Sequence, residues 1–525
     1  MSRGLALSQG GTIADMTSTD RQSVPTDVDL DAEQIAGLAD MDPEAFRAAA
    51  HRVVDVMADY VAGVERHPVL PPIAPGSIAV QLPDAPPETP ESLDSILADY
   101  LAVIEPNATA WQHPGFFAYF ASTASGPGIL GEMLTAALAQ NPMLWRTSPS
   151  GTELEQVVVG WLRQALGLPA SFDGLLTDTA STSTLIALAA ARQAAGLDAA
   201  ARGIAGRPDV PELRVYASRE AHSSVEKACM TLGLGRASLV RIATDDAFAL
   251  RPAGLEAAIA ADRTAGRRPI AIVATIGTTS STSVDPIAAV ADIADRERLW
   301  LHVDAAYAGA VAIDPGLRGP FAGWERADSI VMNPHKWLWT PVDASLLLSR
   351  RLEIVRDAFS LVPEYLRTVG VAGAGTEVEA GQGRNYNEYT PQLGRRFRAL
   401  KLWIQLRWFG LDGLRRRIRR HLELATRFAG WVDAADRWER LAPVPFSTVC
   451  FRHVPERLIG DDAAIDAHNA ALMNAVNRTG EVFLSHTKLD GRFTIRLAIG
   501  NLRTEDRHVA RAWELLRDAA EEVQP

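Results

Sequence analysis

Between residues 150 and 350 short apolar runs alternate with amphipathic ones, and this alternation limits the folds open to the chain. Residues 213–217, 270–275, 300–303, 330–332 and 345–348 are too short for helices and are apolar at successive positions, so they read as strands buried on both faces. Residues 153–166, 184–194, 255–263 and 287–296 place apolar side chains at helical spacing. Strands separated by crossover helices predict a mostly parallel sheet covered on both faces. In such sheets ligands sit beyond the carboxyl ends of the strands. The residues that follow each strand are therefore where chemistry is to be sought.

One of those positions is a lysine. The chain has 52 basic residues but only four lysines: Lys227, Lys336, Lys401 and Lys488. A lysine can be desolvated into a neutral amine nucleophile, whereas an arginine keeps its proton. Lys336 stands in Asn333-Pro334-His335-Lys336-Trp337, directly after the strand 330–332. A Schiff base to an aldehyde cofactor needs such an amine.

The rest of the chain sets boundaries. At 525 residues it exceeds one simple core, and several domains are predicted. A net charge of −12 argues against a nucleic-acid partner. Two cysteines, Cys229 and Cys450, cannot form a disulfide framework and suit a reduced cytoplasm. No apolar run reaches the length of a membrane span, and the first residues lack the apolar block of a secretory signal. Residues 1–40 are polar and read as a disordered extension. A helix begins at Asp42-Pro43-Glu44 with an apolar stripe of Phe46, Val53, Val54, Met57 and Val61. A proline-rich strap (67–90) and a second helix (92–104) follow. These two helices lack a core of their own and call for another surface, such as a partner subunit. Residues 41–122 are thus read as a dimerisation segment, 123–400 as the large domain and 401–525 as a small α+β domain.

The other strand ends carry matching chemistry. The strand 300–303 leads into Asp304 and then the small residues Ala305, Ala306, Tyr307, Ala308 and Gly309. A carboxylate there can keep a pyridine nitrogen protonated, and small neighbours let a flat ring lie close. Thr177 to Thr184 supply hydroxyls at a helix start, which also offers free N–H groups to a phosphate. His222 follows the strand 213–217 and can stack on a ring, and Thr279 follows 270–275.

In this order the blocks His302-Val303-Asp304-Ala305-Ala306-Tyr307-Ala308-Gly309 and Asn333 to Trp337 resemble the pyridoxal-phosphate decarboxylases of the aromatic L-amino-acid decarboxylase family. His113 to Phe120 and Leu393 to Arg398 are similar to further family blocks, and the likeness spans 42–516. It implies the fold-type I architecture, a seven-stranded, mostly parallel sheet between helices, with pyridoxal 5'-phosphate as cofactor and no metal. It implies that Lys336 holds the cofactor aldehyde, Asp304 pairs with the ring nitrogen, His222 stacks on the ring and Ala306 touches its other face. Thr179, Ala180, Ser181 and Asn333 would bind the phosphate, while Thr279 and His335 line the site. Tyr365 matches the family's catalytic loop tyrosine, and Arg496 a site arginine. The substrate positions map to Trp111, Tyr119, Phe120, Ser122 and Val342, with Asn141 and Met143 from the other subunit of a homodimer. These residues suit an aromatic amino acid and not glutamate. Val342 and Met143 stand where animal relatives carry larger aromatics, which leaves dopa, tyrosine, phenylalanine and tryptophan open.

Two other outcomes use the same scaffold: oxidative conversion to an aldehyde, which a phenylalanine at 365 would have indicated, and decarboxylation of a non-aromatic amino acid. A non-catalytic scaffold is disfavoured by the intact Lys336, Asp304, His222 and Tyr365. A dinucleotide enzyme is disfavoured because no Gly-x-Gly-x-x-Gly opens a helix after a strand. Tyr365 precedes a stretch holding Gly370, Gly373, Gly375, Gly381 and Gly383, which reads as a mobile loop. A phenol stays protonated at neutral pH yet can donate to a carbanion. Tyr365→Phe should therefore lose most amine formation and gain oxygen-dependent aldehyde, measured by chromatography of products under air and under nitrogen. An unchanged amine yield removes Tyr365 from the mechanism.

Overall fold

A computed structural model describes residues 40–361 and 383–522. It divides into two units, one ending at Ala62 and one beginning at Gly63. In the first, the helix Pro43–Gly63 starts where Asp42 Oδ1 accepts from the backbone N–H groups of Glu44 and Ala45, both at 3.0 Å. Phe46 on this helix is 60% exposed.

The second unit is built on a seven-stranded sheet. Its strands are β1 (Asp173–Thr177), β2 (Leu213–Ser218), β3 (Leu239–Ile242), β4 (Arg268–Thr275), β5 (Trp300–Asp304), β6 (Ser329–Met332) and β7 (Ser345–Ser349). The spatial order is β1-β7-β6-β5-β4-β2-β3. Only β7 runs against the others, pairing antiparallel with both β1 and β6. Five predicted strands are present, each within two residues of its predicted ends, and β1 and β3 are additions. Both additions lie at the sheet edges, where apolar runs are short. The helix Ala180–Ala194 starts four residues before the predicted 184, because Thr179 caps it by accepting from the Thr182 N–H. Its residues Ile186 to Ala191 are at most 2% exposed, so it is packed all round between sheet and outer helices. Each large aliphatic side chain buried this way contributes about 1.5–3 kcal/mol.

The predicted helix 92–104 has two parts, an α-helix Leu93–Asp99 and a π-helical turn Tyr100–Ile104. Ile96, Leu101 and Ile104 stay 51%, 45% and 41% exposed. The strap before it is pinned at Val69, whose N–H donates to Gly480 O at 2.8 Å.

A second, antiparallel sheet has the order β10-β11-β9-β8, from β8 (Trp438–Arg440), β9 (Thr448–His453), β10 (Ser485–Leu489) and β11 (Arg492–Ala498). The helix Arg398–Ala434 joins the two sheets, with non-helical backbone at Gly410. Its Leu402, Leu406, Leu414 and Ile418 belong to the core of the large sheet, and its Leu424, Ala425, Phe428 and Val432 to the core of the small one. Phe117, inside the block His113 to Phe120, lies in that second core. The residues around it run beside the small sheet: Phe117 N donates to Phe483 O, and Ala498 N to Phe117 O, both at 2.9 Å. Cys229 and Cys450 are buried free thiols. Among the described residues no helix is long and apolar enough to cross a membrane.

One buried ion pair ties the start of the helix after residue 383 to the sheet edge. Arg395 Nη2 lies 2.6 Å from Glu155 Oε1, with both side chains 1% exposed. The same carboxylate oxygen accepts from Leu176 N on β1 at 2.8 Å. Removing one partner leaves an uncompensated buried charge, so Glu155→Ala should cost about 3–5 kcal/mol. Asp412→Ala, which removes the exposed pair with Arg416, should cost under about 1 kcal/mol. Urea unfolding of the two variants checks the contrast, and equal losses would refute it.

Candidate active site

The parallel strands β1, β2, β4, β5 and β6 end on one side of the sheet, and the loops that leave them hold the site. Asp304 closes β5 opposite Thr275 of β4 and Val331 of β6. Its Oδ1 accepts from Ala306 N at 3.0 Å. The carboxylate is 5% exposed and forms no ion pair among the described residues.

Lys336 lies in the single helical turn Pro334–Trp337 that follows β6. It too forms no ion pair among the described residues. Its Nζ stands 5.3 Å from the centroid of the Phe120 ring. Desolvation by the surrounding protein pushes the amine below its usual range, and the Asp304 charge opposes that drop only in part. A lysine in this setting gives up a proton more readily than one on the surface.

His222 follows β2, and its Nδ1 accepts from Ser224 N at 3.1 Å. Desolvation and the charge of Lys336 lower its pKa while Asp304 raises it. Asp304 thus acts on both the lysine and the histidine, which places the three in one electrostatic group. His222 is an exposed residue. His335 is buried, and its Nδ1 accepts from Ala344 N at 3.0 Å. Burial and Lys336 drive its pKa down to about 4, so it is neutral at working pH.

Ala180, Ala306 and Val331 pack together, which joins the start of the helix Ala180–Ala194 to the ends of β5 and β6. Asn333 N donates to Ala306 O at 3.0 Å, and its side-chain Oδ1 is buried without a partner. Thr179 caps this helix, and Ser181 in its first turn is exposed. Thr279 is exposed on the loop after β4. There Gly277, at φ +88°, would set a Cβ 2.8 Å from the Ala308 Cβ, so the loops after β4 and β5 touch only because this residue is glycine.

Arg496, on β11, is 3% exposed and has no carboxylate partner among the described residues. Nε donates to Ser280 O at 2.7 Å, Nη1 to Ser485 Oγ at 3.1 Å, and Nη2 has no partner. Its guanidinium lies 5.2 Å from the Phe120 centroid, so two cations share that ring. Trp111 and Tyr119 are near-parallel at 6.3 Å. Ser122 is half-buried. Val342 is 59% exposed on the loop after the lysine turn. Asn141 and Met143 stand elsewhere: Asn141 Oδ1 accepts from Arg395 N at 2.9 Å, and its amide contacts Met143 Sδ at 3.6 Å. Tyr365 lies outside the described residues.

The profile described as "Pyridoxal-dependent decarboxylase conserved domain" matches residues 75–454. The chain belongs to this family. It is 40% identical to tryptophan decarboxylase 2 of Oryza sativa subsp. japonica, over 93% of this chain and 96% of that protein. It is also 40% identical to phenylacetaldehyde synthase of Arabidopsis thaliana, over 92% and 97%. The crystal structure of Oryza sativa TDC with PLP and tryptamine superposes with a TM-score of 0.87, covering 92% of this chain and 99% of that one at 36% identity. The cofactor of the family is pyridoxal phosphate, and the residues present fit it. An amine and a carboxylate, each without an ion-pair partner among the described residues, stand at the carboxyl ends of the adjacent strands β6 and β5. The start of the helix Ala180–Ala194 lies beside them, and its free N–H groups suit a phosphate.

Sequence reasoning missed the rings behind Phe120. Tyr307 stacks on Phe120 with centroids 3.7 Å apart, and Trp337 stacks on Tyr307 at 4.5 Å. Tyr307 and Trp337 both lie in quoted motifs, which was the available signal. His421 continues the row, and its only signal was a histidine on the apolar stripe Leu414, Ile418, Leu424 and Phe428.

Lys336→Ala should still bind pyridoxal phosphate, but sodium borohydride should no longer fix it to the protein. Turnover should fall about 10²- to 10⁴-fold, the range for losing a positioned proton-transfer group. Mass spectrometry of the reduced protein and steady-state assay check both. Cofactor still fixed in this variant would dismiss Lys336.

Proposed function

We propose that this decarboxylase converts an aromatic L-amino acid to its amine and CO2. The observation that carries the reading is the Lys336 amine, desolvated and without an ion-pair partner among the described residues, near Asp304 at the carboxyl edge of the sheet. Bound pyridoxal phosphate supplies an electron sink for the pair left at Cα when CO2 departs. Lys336 presents its amine to the cofactor aldehyde and later takes part in releasing the product. Asp304 holds a proton at the ring nitrogen. His222 and Ala306 cover the two ring faces, and Thr279 and His335 line the edge. Thr179, Ala180, Ser181 and Asn333 receive the phosphate at the start of a 15-residue helix. Tyr365 donates the proton to Cα.

Trp111, Tyr119 and Phe120 supply aromatic faces for the substrate side chain and exclude water around its carboxylate. Ser122, Val342 and Arg496 complete the wall. A homodimer brings Asn141 and Met143 to the neighbouring pocket. Leu130, Leu134 and Leu138 support it, since they lie at four-residue spacing on the helix Gly126–Leu138 and are 54%, 52% and 53% exposed. The proposed division is 41–122, 123–400 and 401–525 behind a 1–40 extension; two separate cores support a large and a small domain, although Leu402, Leu406, Leu414 and Ile418 belong to the core of the large one. The cytoplasm is the proposed location.

A second reading is aldehyde formation, because one relative at 40% identity is a phenylacetaldehyde synthase. Tyr365 favours the amine. Purified enzyme should release CO2 from at least one of dopa, tyrosine, phenylalanine and tryptophan, with one amine per CO2, and none from glutamate. Aldehyde, ammonia and peroxide in place of amine would select the second reading. Sedimentation at assay concentration should show a dimer, and a fully active monomer would refute that part.

A further inference from the structure

Lys336 is held by a closed circuit of side chains that begins on another element. Trp337, the next residue, is fully buried. Its indole Nε1–H donates to His421 Nδ1 at 2.9 Å, across 84 positions of sequence. The two ring planes agree within 11°, so the rings meet edge to edge around this hydrogen bond. An indole nitrogen can only donate, so Nδ1 is the acceptor and the imidazole proton sits on the other ring nitrogen. Trp339 stands against the imidazole at 5.7 Å and 89°, and its own N–H donates to Gly500 O at 2.9 Å.

From Trp337 the circuit returns to the lysine through ring faces. Tyr307 lies on the indole at 4.5 Å and 4°, and Phe120 lies on Tyr307 at 3.7 Å and 14°. The Lys336 amine stands over the far member, Phe120. The Tyr307 hydroxyl is hydrogen-bonded to Ser447 Oγ, which stops that ring from sliding. The lysine is therefore fixed at both ends, by the backbone of its neighbour and by a ring that the same neighbour supports.

An apolar residue cannot replace His421 in this role. The indole N–H lies in a water-free core, and losing its acceptor would leave a buried donor unpaired. The indole would then turn or shift to find another acceptor, and Tyr307 and Phe120 would follow. Burial drives the His421 pKa down to about 3, with the charges of Arg417 and Arg420 adding to the drop, so the acceptor lone pair persists at every working pH.

We propose that His421 is a positioning residue for Lys336, acting through Trp337 and the Tyr307–Phe120 stack. This rests on the reading of Lys336 as the cofactor lysine. The test uses the cofactor-loaded full chain and the variants His421→Phe, His421→Gln and Trp337→Phe. In His421→Phe the visible band of the bound cofactor should shift and kcat fall about 10- to 100-fold, the scale of an ångström-sized misplacement. KM should move with it, because Phe120 is also a wall of the substrate pocket, so the visible band and kcat are the deciding readouts. His421→Gln keeps an acceptor oxygen and should recover kcat to within about 3-fold of the parent. Trp337→Phe should match His421→Phe, and the double variant should be no worse than either single one. Unchanged band and kcat in His421→Phe would overturn the proposal, as would additive losses or a glutamine variant no better than phenylalanine. If His421→Phe does not fold, Trp337→Phe decides alone by the same two readouts. A parent protein whose visible band resists borohydride overturns the cofactor reading and this one together. A parent band that reduces normally, with no change in the variants, overturns this one only.

Discussion

An amine without a counter-ion is the constraint from which the rest of the site follows. Lys336 loses hydration to the protein around it and regains only the partial attraction of Asp304. A full ion pair would hold the proton on the lysine and occupy the carboxylate that the cofactor ring needs. The fold meets this by setting an aromatic face, not a carboxylate, against the amine. Arg496 shows the same choice, a buried cation satisfied by a backbone carbonyl and a hydroxyl while one nitrogen stays unpartnered. Both groups stand against the same Phe120 ring.

The parallel sheet makes this grouping possible. Six strands run the same way, and the loops after five of them reach one edge, so residues from Thr179 to Lys336 gather there although 157 positions separate them (336 − 179). Close contact between loops then depends on small residues: Gly277 against Ala308, and Ala180 against Ala306. The antiparallel β7 fills the gap between β1 and β6, and its approach brings Ala344 N to His335. That hydrogen bond fixes the turn that carries the lysine.

The small sheet contributes to the same site from a distance. The segment around Phe117 runs alongside it, with Phe117 in the core of the small sheet and Phe120 in that of the large one. The helix Arg398–Ala434 spans both cores and carries His421 at the change-over from one to the other. Movement between the sheets would therefore be felt at Phe120 and at Trp337 together.

The sequence by itself determined the strand–helix alternation, the parallel sheet and the residues at its strand ends. These are local signals: apolar runs of strand length, helix starts, and a lysine in a chain that otherwise writes arginine. Lys336, Asp304 and His222 could be named because each follows an element whose type its own neighbours specify, and Thr179 because it precedes one. Edge strands β1 and β3 were missed because their short apolar runs are weak signals. The tertiary structure alone decided which side chains touch. Nothing near His421 in sequence says that its Nδ1 meets an indole, and nothing near Glu155 says that Arg395 closes on it. Such contacts join residues far apart in the chain, and a periodic pattern reports only that a side chain faces inward, not what it meets there.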